Sequence, residues 1–175
     1  MRKSAVQELL ARRLRIAPGR IQAISERLAS AGLISNAEGS RRYPPDLSEP
    51  EIVTLVLAVI ADNGLGSVKA TVDTFSTLAS EGVAFGHVLQ RVLFGRPVDI
   101  AHVIIRHDPA GVSAVIDGNH AVYGAEAPEK AATTARIIPG DALIAIAAEL
   151  QGQHPQQADA LVELIRIRRA MHVSA

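Results

Sequence analysis

The chain has 175 residues, enough for one generous domain or for a small head plus a second lobe, and at 48% apolar residues it can build a real core rather than remain disordered. With no Cys and no Trp, and only three Phe and two Tyr, it has neither disulfides nor thiolate metal sites, and it lacks the aromatic platform that stacks single-stranded bases. The net charge of zero hides an asymmetry: residues 1–42 hold nine basic and three acidic side chains, a balance of +6, and the remainder carries −6. Such a division points to one end that meets a polyanion and another that does not.

The first segment, MRKSAVQELLARRLRIAP, is basic but has no apolar stretch of the kind a secretory signal needs. Val6, Leu9, Leu10 and Leu14 recur at helical spacing and predict a helix over 4–14. Pro18-Gly19 reads as a break, either in that helix or in the turn after it. A second stripe, Ile21, Ile24, Leu28 and Ala31, predicts another helix, with Gly32 placed to cap its C-terminus. Residues 35–48 (SNAEGSRRYPPDLS) are rich in turn formers and suit a short wing hairpin or a linker.

Asp46 or Ser48 can serve as the next N-cap, with Pro50 in the first turn and Glu51 completing a capping box. The helix so introduced, over 49–62, is apolar nearly all round and reads as buried. Its apolar run, 52–61, is interrupted by Thr54 and is too short to span a bilayer, so a cytoplasmic protein without a membrane partner is expected. A further stripe at Val68, Val72, Phe75, Leu78 and Ala79 and a helix over 84–94 follow. The character then changes, because 98–107, 112–116 and 121–123 are short and rich in β-branched residues. Asp117-Gly118-Asn119 is a strong hairpin signal and 108–111 joins the first two strands, so a three-stranded antiparallel meander is expected. Helices resume over 141–150 and 155–172, the last with Ala158, Leu161, Val162, Ile165 and Met171 opposite Arg166, Arg168 and Arg169.

Taken as a helix-turn-helix, the first two helices divide their labour. The second would lay its outward residues in the major groove, making Arg20, Gln22, Ala23, Ser25, Glu26 and Arg27 the base-contact candidates. Lys3, Arg12, Arg13 and Arg15 would meet phosphates, and Arg41, Arg42 and Tyr43 would reach the flanking backbone or minor groove from a wing. The competing reading of these two helices is an ordinary helical hairpin with arginines on a solvated face; separately, the basic tip of the last helix (Arg166, Arg168, Arg169, His172) reads either as a match to the helix dipole or as part of a helix that packs on a partner subunit.

The pattern ELLARRLRIAPGRIQAISERLASAGLI, followed by a Gly- and Arg-containing loop and then PPDLSEPEIVTLVLAVIAD, resembles the winged-helix or helix-turn-helix heads of bacteriophage and prophage proteins. In those heads a short basic wing often leads into a buried helix introduced by a Leu-Ser or Leu-Thr cap. The resemblance covers residues 4–62 and implies double-stranded DNA binding and, often, self-association.

Other chemistry finds less support. His102 and His107 lie five apart in a strand and would face opposite sides, a poor geometry for shared metal ligation. The GVSAV run at 111–115 lacks the second glycine of a nucleophile elbow, and no phosphate-binding loop is present. Asp99, Asp108 and Asp117 do not cluster as a two-metal nuclease requires.

The expectation is therefore an α+β protein, mainly helical and non-enzymatic, with no metal and no cofactor. Residues 1–47 would form a basic helix-turn-helix head, 48–97 a helical connector, and 98–175 an α+β lobe for oligomerisation or partner binding. Its expected job is sequence-specific recognition of double-stranded DNA, as a phage-type transcriptional regulator acting as a homo-oligomer. Two alternatives are a terminase-like small DNA-packaging subunit and a phage inhibitor or adaptor that acts on a host protein complex without touching DNA.

Overall fold

In the computed structural model the described residues are 1–35 and 46–173, with backbone alone at 172 and 173. Helix α1 (Lys3–Leu14) buries Val6, Leu9 and Leu10 and ends at Arg15, whose φ of 53° turns the chain out of the helix. Only Ile16 and Ala17 then intervene before α2 (Pro18–Ser30). Pro18 does not break a helix here; it starts one, since its fixed φ and missing N–H suit the first helical position. At the other end Leu33 N–H donates to Leu28 O (2.9 Å) and Gly32 N–H to Ala29 O (3.0 Å), while Gly32 takes a φ of 70°. This is the glycine cap its sequence position suggested.

The chain re-enters at Asp46, which bridges to Arg2, and Leu47 N–H donates to Met1 O at 2.9 Å. Helix α3 (Glu49–Ile60) opens with the Ser48/Glu51 capping box and buries Ile52, Val53 and every residue from Leu55 to Ile60. It forms the centre of the helical half, packed against α2, α4 (Val68–Thr77) and α5 (Phe85–Phe94). Between α4 and α5 lies a small hairpin absent from the sequence reading, β1 (Ala79–Ser80) and β2 (Val83–Ala84). Its turn, Glu81-Gly82, has positive φ at both residues, the tight geometry whose twist matches paired strands.

The expected meander is present as β3 (Ile100–His107), β4 (Ala110–Ile116) and β5 (Asn119–Gly124), but the sheet has four strands. A later strand, β6 (Ala135–Pro139), pairs antiparallel with the free side of β3, giving the order β5-β4-β3-β6. The β4–β5 loop is two residues long: Asp117 and Gly118 carry the positive φ values, and Asn119 already belongs to the strand opposite Ile116. Alternation places Val103, Ile105, Val112, Ala114, Tyr123 and Ile138 on the buried face. Phe75 meets His107 edge-on (5.0 Å between ring centres) and Phe85 meets Tyr123 (5.3 Å), which ties the helical half to that face.

Helix α6 (Gly140–Leu150) joins the parts, because it packs on α1, α5, α7 (Pro155–Val173), β3 and β6. Its first residue must be glycine: a Cβ at 140 would stand 1.6 Å from the Ile100 carbonyl oxygen. A single apolar core therefore runs from Val6 to Ile165 and crosses both expected boundaries, 47/48 and 97/98. No described helix is long and apolar enough to cross a membrane.

Candidate nucleic-acid interface

The α2 helix owes its orientation to four residues at i, i+3, i+4 and i+7. Ile21, Ile24, Ser25 and Leu28 are each 0% exposed. Ser25 thus cannot reach a base edge from the folded protein, which corrects its place among the candidates. Its hydroxyl is enclosed without a hydrogen-bond partner among the described residues. The same spacing that buried the two isoleucines placed Ser25 between them and Leu28, so helical periodicity carried the signal.

Arg20 is also withdrawn. Its guanidinium lies flat against Asp62 just beyond α3, with Nε to Oδ2 at 2.9 Å and Nη2 to Oδ1 at 2.7 Å. Asp62 Oδ1 accepts the Gly64 N–H at 3.0 Å as well. Burial alone would raise the Asp62 carboxyl, but these donors prevail and hold it below its ordinary value. A forked pair of this kind uses the two parallel donors a guanine would otherwise receive.

Arg12 and Arg13 have a comparable fate at the end of α1. Both converge on Glu149 of α6, which is only 8% exposed: Arg12 Nη1 lies 3.1 Å from Oε1, and Arg13 Nε lies 2.6 Å from it. Arg13 also reaches Asp159 and the Pro155 carbonyl oxygen on α7. Desolvation pushes the Glu149 carboxyl up, yet the two guanidiniums outweigh it and keep the group ionised below the usual range. Among the described basic residues of the first segment, Arg12, Arg13 and Arg20 are therefore paired with acids from the other part of the chain. Charge that is segregated along the sequence is paired in space.

What remains outward is narrower. Gln22, Glu26 and Arg27 are exposed on α2, with Ala23 half-buried between them. Gln22 donates to Glu26 at 2.9 Å, one turn along the helix. Arg15 is exposed at the turn, and Lys3 is half-buried at the start of α1. Among the described residues neither of these nor Arg27 has a carboxylate partner. Arg41, Arg42 and Tyr43 lie outside the described residues. Of the described residues on either side of them, Ser35 donates to Glu51 Oε1 of α3 and Asp46 bridges to Arg2.

One pairing that the sequence reading missed lies on the outer face of the sheet. Ser113 Oγ and His120 Nε2 are 2.7 Å apart, diagonally across β4 and β5. A nucleophilic serine needs a base oriented by a third group and donors for an oxyanion. Among the described residues no carboxylate holds His120. Moreover β4 is an interior strand whose backbone amides serve both neighbours. The pair is a cross-strand contact. His102 and His107 face opposite sides, as their spacing required: His107 lies inward against Phe75, where burial lowers its pKa. Among the described residues no three histidine or acidic side chains converge as metal ligands would. No family model, curated protein or solved structure matches the chain.

Proposed function

We propose that the protein binds double-stranded DNA through the outward face of α2, acting as a regulator of the phage type that residues 4–62 resemble. The observation that carries this reading is the two-sided character of α2. One face is wholly buried, and the other presents Gln22, Glu26 and Arg27 to solvent, next to Arg15 in a short turn. Gln22 can satisfy adenine through two hydrogen bonds and Arg27 can satisfy guanine, while Arg15 and Lys3 add phosphate contacts.

A binding selection on random duplex DNA tests the assignment. Gln22→Ala is expected to relax preference at one position, at about 1–3 kcal/mol of lost discrimination. Arg20→Ala should leave the preference as it was, since that side chain is committed to Asp62. If Gln22→Ala changes neither binding nor preference, α2 is not the reading helix.

A second reading is favoured by the internal pairing of Arg12, Arg13 and Arg20, which thins the basic surface. It makes the molecule an adaptor for another protein. Absence of any duplex binding at low salt would select it.

A further inference from the structure

The last helix is apolar on two opposite sides. Ala158, Val162 and Ile165 face the core and are buried. On the far side Leu164 (54% exposed), Ile167 (57%) and Met171 (64%) stand in solvent, with Ala160 exposed one turn earlier. Met171 therefore belongs to the outer side, not to the core stripe in which the sequence reading put it. Three large apolar side chains within eight residues are not the scattered exposure that a monomer's surface normally shows.

Their spacing of four, three and four residues is that of a coiled-coil seam: Ala160 and Ile167 at d, Leu164 and Met171 at a. In that register the core-facing residues Ala158, Val162 and Ile165 fall at b and f, opposite the seam. The flanks follow from the same register. Glu163 occupies g and Arg168 occupies e, both exposed. In a parallel pair of helices a g residue faces the e residue five positions further along the other chain. Glu163 would thus meet Arg168 of the partner subunit, and two-fold symmetry makes the contact twice. An antiparallel pair would instead set like charges against each other. Glu163 now touches Arg166 at 2.6 Å, but Arg166 is also held by Asp141 at 2.7 Å, so Glu163 can change partners without stranding it. Arg168 has no carboxylate partner among the described residues.

We propose that α7 is a self-association surface, on which a second copy of this chain docks in parallel along Ala160, Leu164, Ile167 and Met171, guided by Glu163–Arg168 pairs. The inference does not rest on the DNA reading; if both hold, the two-fold axis doubles the reading helices.

The seam spans three turns, so the dimer is weak, with a dissociation constant of about 10 μM. Sedimentation velocity across about 1–300 μM, without DNA, reads it directly. The full chain should shift from monomer to dimer, and Ile167→Asp should weaken the dimer at least about tenfold. Glu163→Lys alone and Arg168→Glu alone should each weaken it, and an equimolar mixture of the two variants should recover it. All three positions are exposed, and far-UV circular dichroism checks that the variants fold. A chain that stays monomeric, a dimer indifferent to Ile167→Asp, or one unmoved by both single charge reversals would overturn the proposal.

Discussion

Glu149 bears more than any other single residue on how the charges are arranged. It is a nearly enclosed carboxylate facing two guanidiniums that come from a helix more than 130 residues earlier. A glutamine there would keep the shape and leave Arg13 facing Asp159 alone. Such a loss of one member of a part-buried pair costs about 2 kcal/mol. Glu149→Gln should therefore lower the thermal midpoint by several degrees without altering the far-UV spectrum. The pH dependence has a definite sign. Glu149, Asp62 and Glu51 are all shifted downward, Glu51 to about 2, so their contribution is present above their ordinary values and is lost as pH falls through the folded ones. His107 is also shifted downward, by burial, so the unfolded chain takes up its proton first. Both effects make the protein less stable in acid, with His107 acting as pH drops below its ordinary value and the carboxylates acting lower. In Glu149→Gln the carboxylate part of that loss should shrink, as midpoints measured from pH 7 down to the acid limb would report.

At the scale of elements, the Gly140 junction leaves no room for a side chain. The end of β6 passes directly into α6 there, against the Ile100 carbonyl, so Gly140→Ala must displace either β3 or α6. A cost of about 3 kcal/mol or more is expected, and the midpoint of urea unfolding measures it. The helices were legible because most carry their own stripe, and some their own punctuation: Gly32 and the Ser48/Glu51 box fall beside their ends, whereas Pro18, expected as a break, starts α2. Strand β6 was not legible. It has five residues, is isolated from the meander by ten loop residues, and ends in the Pro139-Gly140 pair that reads as a turn. The β1–β2 hairpin is shorter still, two residues to a strand, and it lies against β5 and α5, which are distant or unrelated in local pattern. The burial of Ser25 was legible, since it lies four residues after Ile21 and three before Leu28 on the same stripe. The partners of Arg12, Arg13 and Arg20 had no local signal at all, since nothing in a sequence states which distant acid a cation will meet.

Over the whole molecule, the +6 and −6 segments are two sides of one packed body. α1 lies against α6, α2 against α3 and α4, and a single core underlies them all. The basic segment is thereby sorted into cations that hold the fold together and cations left to act on something else. Arg12, Arg13 and Arg20 belong to the first kind, Arg15, Arg27 and Lys3 to the second. Phosphate contacts release counterions, so the roles proposed for Arg15 and Lys3 are measurable as a salt slope. The decisive measurement is the dependence of duplex DNA affinity on salt, for the full chain and for single alanine variants. Arg15→Ala and Lys3→Ala should each lower the slope by about one, and Arg12→Ala and Arg20→Ala should leave it unchanged. Equal effects from both groups, or no salt-dependent binding to duplex DNA at all, would contradict the account.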